Sequence, residues 1–175
     1  MIDTINQALA EYFANWKTLA NEQNDFNAFL PTAAGWKVAD ESEYQEAYKA
    51  LRPLCDRIIE TWMNGRWIAK MHLKDSSVEG GVTIIKVMQR RPDSDDALGL
   101  DHVDFMTNDV KAVETYLQSQ HDVRWSWESN DVIEGYDWIS IWFCDTEAKI
   151  KPDTVVDIII KELEEVNESI KTARG

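Results

Sequence analysis

Cysteine is scarce in this chain. There are two, Cys55 and Cys144, and neither sits in a Cys-x-x-Cys. That excludes a cysteine-based metal motif and suits a cytosolic protein with two buried, reduced thiols. Glycine (7) and proline (4) are also few, so long flexible linkers are not expected. No apolar run approaches the roughly 18 residues that a spanning helix needs. The opening Met1-Ile-Asp-Thr-Ile-Asn-Gln7 does not read as a signal peptide. Basic residues are outnumbered, 18 Lys and Arg against 32 Asp and Glu, for a net charge of −14. A nucleic-acid binder needs a basic footprint to release counterions, so the acid excess argues against that class and against binding to an anionic membrane surface. Also missing are a glycine-rich phosphate loop, a Gly-x-Ser-x-Gly elbow and a His-Glu-x-x-His. Asp93-Ser-Asp-Asp96 is acidic but lacks the spacing and closing Glu of a calcium loop.

What remains is an ordinary globular composition, 44% hydrophobic and 29% charged, over 175 residues. That length suits one compact domain with a full core. Apolar residues Ile5, Leu9, Tyr12, Phe13, Trp16 and Leu19 recur at spacings of three and four, predicting a long first helix capped by Asp3. Residues 21–34 read as a loop and 35–39 as a short strand. A second helix is expected from a capping box at Ser42 and Gln45, kinked at Pro53 and continuing to Gly65, with Trp62 on its buried stripe. Arg66 to Lys74 and Val82 to Arg90 alternate as strands. Residues 122–129 and 136–145 do the same. Pro152 and Asp153 open an expected last helix.

The most organised stretch is Leu98-Gly-Leu-Asp-His-Val-Asp-Phe-Met-Thr-Asn-Asp109. It reads as a strand with His102 and Asp104 on one face and Val103 and Phe105 on the other. An Asn108 cap leads it into an amphipathic helix over 109–119. A strand opening on Asp-His and closing on Asn-Asp before such a helix resembles the start of a βαβββ module of the vicinal-oxygen-chelate (glyoxalase, bleomycin-resistance, dioxygenase) superfamily. With its helical N-terminal extension, the chain is most similar to the YecM-like branch. The resemblance implies an α+β fold. A curved, mostly antiparallel sheet would be built from paired βαβββ-like modules, with helices on its convex face and the N-terminal helix packed across them. The expected divisions are a helical extension over 1–34, a first, degenerate module over 35–97, a second module over 98–150 and a C-terminal helix over 151–175.

The resemblance also implies a pocket on the concave face for a small anionic molecule. Chemistry of lyase, isomerase or dioxygenase type would be assisted by one divalent ion such as Zn, Ni, Mn or Fe, acting as a Lewis acid. His102 would be a ligand, with His72 and Asp104 (or Glu147) as further candidates. The matching strand of the first half offers no His or Glu. A structural His102 hydrogen-bonded beside Asp104 stands as the other reading. Lys70, His72 and Lys74 form a basic row that Lys86 and Arg90 extend. It reads either as an anion-binding wall, in which Lys70 or Arg124 holds substrate charge, or as a solvated face. Tyr136, Trp138 and Trp142 share one side of their strand. They read either as an aromatic floor that stacks a ligand, or as core or homodimer packing. A second class of function therefore stays open: a non-catalytic interaction or ligand-binding module using a tryptophan-rich sheet face.

Overall fold

The computed structural model describes residues 1–22, 29–63, 65–75, 78–129 and 137–152. The expected C-terminal helix, the turn over 130–135 and Tyr136 lie outside the described residues. One sheet of eight strands organises the rest, in the order β2-β3-β4-β1-β5-β8-β7-β6. The strands are β1 (Leu30–Val38), β2 (Cys55–Met63), β3 (Arg66–Leu73), β4 (Ile84–Gln89), β5 (Gly99–Thr107), β6 (Arg124–Ser129), β7 (Asp137–Phe143) and β8 (Thr146–Pro152). Pairings β1–β4 and β5–β8 are parallel and the others antiparallel. Each half is a βαβββ unit with the same internal order, and the halves meet where β1 pairs with β5. The expected α+β class and mostly antiparallel sheet are therefore observed.

Three helices cover one face among the described residues: α1 (Ile2–Glu22), α2 (Glu41–Leu51) and α3 (Val110–Gln118). Alternation drives this layering. Ala69 and Met71 of β3, Ile85 and Val87 of β4, Val103 and Phe105 of β5, and Ile139 and Ile141 of β7 all turn to the helices and are buried. The first helix lies directly on the sheet, not across the other helices. Its Trp16 stacks on Phe105 of the central strand with ring centroids 4.6 Å apart, and Tyr12 and Phe13 close around the same ring. Phe13 also seats on Gly80, where φ is +75° and an added Cβ would lie 2.0 Å from the phenyl edge. The caps sit a residue or two away from the expected ones. Asp40 Oδ1 accepts from the Glu43 amide at 3.0 Å, and Asp109 Oδ1 accepts from the Ala112 amide at 2.8 Å. Asp3 lies inside the first turn of α1.

Other expectations are corrected. The second helix stops at Leu51. Arg52–Leu54 forms a 3-10 turn around Pro53, and Cys55–Met63 is an edge strand. The residues Cys55, Ile58, Ile59 and Trp62 fit a helical period, but β-branched Ile58, Ile59 and Thr61 pair with β3, and the missing Pro53 N–H ends the helix. Trp62 is consequently 60% exposed, set edge-on to Trp67 rather than buried. Strand β1 begins at Leu30, inside the expected loop. Its centre, Ala33-Ala-Gly35, lacks the bulky residues that mark a strand. The strand expected to run through Asp145 turns at Cys144 and Asp145, both at positive φ, and returns as β8 through Pro152. Cys144 is thereby exposed, and Cys55 alone is buried.

Candidate functional site

The face opposite the helices carries the polar side chains. Register places them in two rows. One runs Lys70, Lys86, Gly35, His102, Glu147, Trp142 and Arg124 from β3 to β6. The other runs His72, Ile84, Ala33, Asp104, Lys149, Ser140 and Ser126. Between β1 and β5 the ladder carries two bulges: Thr32 is extra on β1, and Asp101 is extra on β5. A bulge turns consecutive side chains toward the same face. That is why Asp101 joins His102, its Oδ2 lying 2.8 Å from His102 Nδ1. The imidazole lies flat on Gly35, where an added Cβ would stand 2.4 Å from Cε1. Lys86 of β4, the register partner of Gly35, reaches across β1 to Asp104, where the two form a close ion pair.

Buried charge is concentrated around these groups. Asp104 is 3% exposed and also receives Lys151 Nζ at 2.8 Å. Burial alone would raise its carboxyl, but the Lys151 and Lys86 ammonium groups outweigh that and hold it well below the usual carboxylate range. Burial, with Lys149 nearby, pushes His102 down to about 3, so its ring is neutral at pH 7. Asp101 stays ionised: burial is overridden by the His102 hydrogen bond and by Lys37, whose Nζ lies 2.6 Å from its Oδ1. A neutral ring facing a carboxylate must donate from Nδ1, which leaves the lone pair on Nε2. That Nε2 is buried, has no hydrogen-bond partner, and lies 3.8 Å from Asp104 Oδ1. On the far side, Ser140 hydroxyl bonds closely to Glu147 and accepts from Trp138 Nε1 at 3.0 Å. Lys149 stands 3.5 Å from Glu147 Oε2 and 5.4 Å above the Trp138 ring.

Alternation put Lys70 with His72, His102 with Asp104, and Trp138 with Trp142, each on one side of its own strand, and left open whether those sides turn the same way; the register sets all six on the face opposite the helices. It does not bring them all together. His72 is three strands from Asp104, about 14 Å at the usual strand spacing, and burial and Arg57, not the His102 cluster, lower its pKa. The expected trio of His102, His72 and Asp104 is therefore not one set. Lys74 lies past the end of β3, exposed, and donates to the Pro53 carbonyl at 2.9 Å. Arg124 sits on β6 at the sheet edge, its guanidinium 4.8 Å from the Trp142 ring. Sequence reading missed Asp101, Lys149 and Lys151 as site residues. The bulge that recruits Asp101 has no local signature. The alternation Glu147-Ala-Lys-Ile-Lys151 was a usable strand signal, obscured by Pro152 reading as a helix start.

The divalent ion that the resemblance implies can be tested against these donors. The two bulges relate the halves, so that Ala33 stands in β1 where His102 stands in β5, and Ile84 stands in β4 where Glu147 stands in β8. Neither alanine nor isoleucine can ligate. His102 and Glu147 supply two donors where a catalytic ion takes three protein ligands. Asp104 is already held by two ammonium groups, which repel a further cation. Among the described residues no three His, Cys, Asp or Glu side chains are grouped to hold a metal. The described residues do not fit a resident divalent ion.

No protein-family model matches this chain, and no curated protein matches it by sequence. Solved structures do. A structural-genomics protein, EC4020, superposes with a TM-score of 0.70 at 12% identity, covering 90% of this chain and 91% of that one. Methylmalonyl-CoA epimerase from Mycobacterium tuberculosis gives 0.48 at 16% identity over 70% and 86%. A glyoxalase/bleomycin resistance protein/dioxygenase superfamily member from Vibrio splendidus 12B01 gives 0.44 at 8% over 72% and 100%. The likeness to EC4020 is one of fold. Among the described residues no helix is long and apolar enough to cross a membrane.

Proposed function

We propose that this chain is a vicinal-oxygen-chelate superfamily protein whose polar sheet face binds a small organic acid bearing a hydroxyl beside its carboxylate. The observation that carries this is His102 Nε2, a buried acceptor lone pair without a partner, set among ammonium groups. A buried polar group left unpaired costs about 1–3 kcal/mol, and a ligand hydroxyl donating to Nε2 recovers it. Asp101 fixes the tautomer that accepts, and Lys37 fixes Asp101. Lys149 and Lys151, both near the Trp138 ring, supply positive charge beside an aromatic wall. The reaction class that suits this arrangement is isomerase- or lyase-like proton transfer on the bound acid, with the carboxylate held by lysine.

The test compares malate with succinate, which lacks the hydroxyl, by calorimetry and thermal unfolding. Malate is expected to bind at least about tenfold more tightly, and His102→Leu to remove the difference. Equal binding of the two acids, or binding of neither, overturns the reading.

A further inference from the structure

The mismatch between the donors and a divalent ion poses a question: what supplies the positive pole that a vicinal-oxygen-chelate pocket takes from its metal? We propose that the Lys86 ammonium, carried across β1 and anchored on Asp104, takes that place, so that the site binds its carboxylate ligand without metal. This rests on the reading of the polar face as a small-acid site.

Four features of the face support it. First, the positions of the first half that match His102 and Glu147 are Ala33 and Ile84, so half of a ligand set is replaced by apolar side chains. Second, Lys86 is built in: its side chain is 12% exposed and forms a close pair with Asp104, itself shared with Lys151. Third, Lys86 is the register partner of Gly35, and the bare Gly35 seats the His102 ring beside the lysine. Fourth, the bulge relation that pairs Ala33 with His102 also pairs Lys86 with Lys149, so each half brings one lysine to the same place in its own βαβββ unit. An ammonium is a point charge with three donors. It orients a carboxylate as a cation does, and it needs no ligand set.

The experiment is malate titration of the full chain by calorimetry, in EDTA and then with Zn²⁺, Ni²⁺ or Mn²⁺ in molar excess, on the wild type, Lys86→Met and Lys86→Gln. Wild-type affinity is expected to be the same in EDTA and in metal. Both variants are expected to lose about tenfold or more, with no rescue by metal and with native circular dichroism. Malate binding that vanishes in EDTA and returns with metal overturns this inference and leaves the small-acid reading standing. Wild-type affinity in a folded Lys86→Met does the same. Absence of malate binding under every condition overturns both. Should neither variant fold, wild-type binding that depends on metal still overturns the inference.

Discussion

Asp104→Asn removes the one carboxylate charge that two buried ammonium groups share. In the native protein Asp104 is 3% exposed and pairs with Lys86 and Lys151, both from other strands. Breaking a buried pair by deleting one partner costs about 3–5 kcal/mol, because the surviving charge stays desolvated. Here two ammonium groups survive side by side, so the upper end of that range is expected. The pH dependence follows from the direction of the shift. The folded carboxyl lies well below its unfolded value of roughly 3.9, so the unfolded state takes up the proton first. The stability it contributes is complete above that unfolded value and is lost as pH falls through the range below it. Asp104→Asn should show no such limb. Urea unfolding at neutral pH, then in steps down to about pH 3, reads both effects. Replacing Lys86, Lys151 and Asp104 together by Met, Met and Leu should restore much of the loss, since an apolar substitute of similar volume carries no desolvation penalty. A loss under about 1 kcal/mol in the single variant would show that these groups are solvated and would refute the buried-cluster reasoning.

Other consequences can be checked in the same way. Gly35→Ala should cost about 1–3 kcal/mol and displace the His102 ring, because its Cβ would lie 2.4 Å from Cε1; urea midpoints and malate affinity should fall together. His102 is held near 3 by burial while the unfolded residue titrates near 6.5, so the stability of the neutral ring is complete above about 6.5 and declines toward 3, by up to roughly 5 kcal/mol. His102→Gln should flatten that limb in urea unfolding followed against pH. Trp16→Ala removes the ring stacked on Phe105 and should cost about 3–5 kcal/mol; a loss under about 1 kcal/mol in chemical denaturation would mean that α1 is not docked.

Much of the fold was legible because alternation and periodicity are local. The run His102 to Phe105 announced its two faces, and the first helix announced its buried stripe; the bulge at Asp101 breaks the alternation before it. Three strands escaped in part or whole: β1, β2 and β8. Strand β1 is built on Ala33, Ala34 and Gly35, none of them bulky, and Gly35 is bare because the His102 ring lies on it, so a residue that makes the site helps to hide the strand. Strand β2 carries a helical spacing by coincidence, against which Pro53 and its pairing with β3 decide, and β8 is obscured by Pro152 reading as a helix start. The site was legible in part. His102, Asp104, Trp138 and Trp142 follow from alternation, but the reach of Lys86 over β1 depends on register and a bulge, which no single segment encodes. The same register separates His72 from His102.

The most direct test of the account is the imidazole of His102 by nitrogen-detected NMR of the ¹⁵N-histidine protein at pH 7, with and without malate. The account predicts a neutral ring protonated on Nδ1, with Nε2 as an acceptor whose resonance moves when malate is added. A charged imidazolium, a ring protonated on Nε2, or an Nε2 signal indifferent to saturating malate would contradict it.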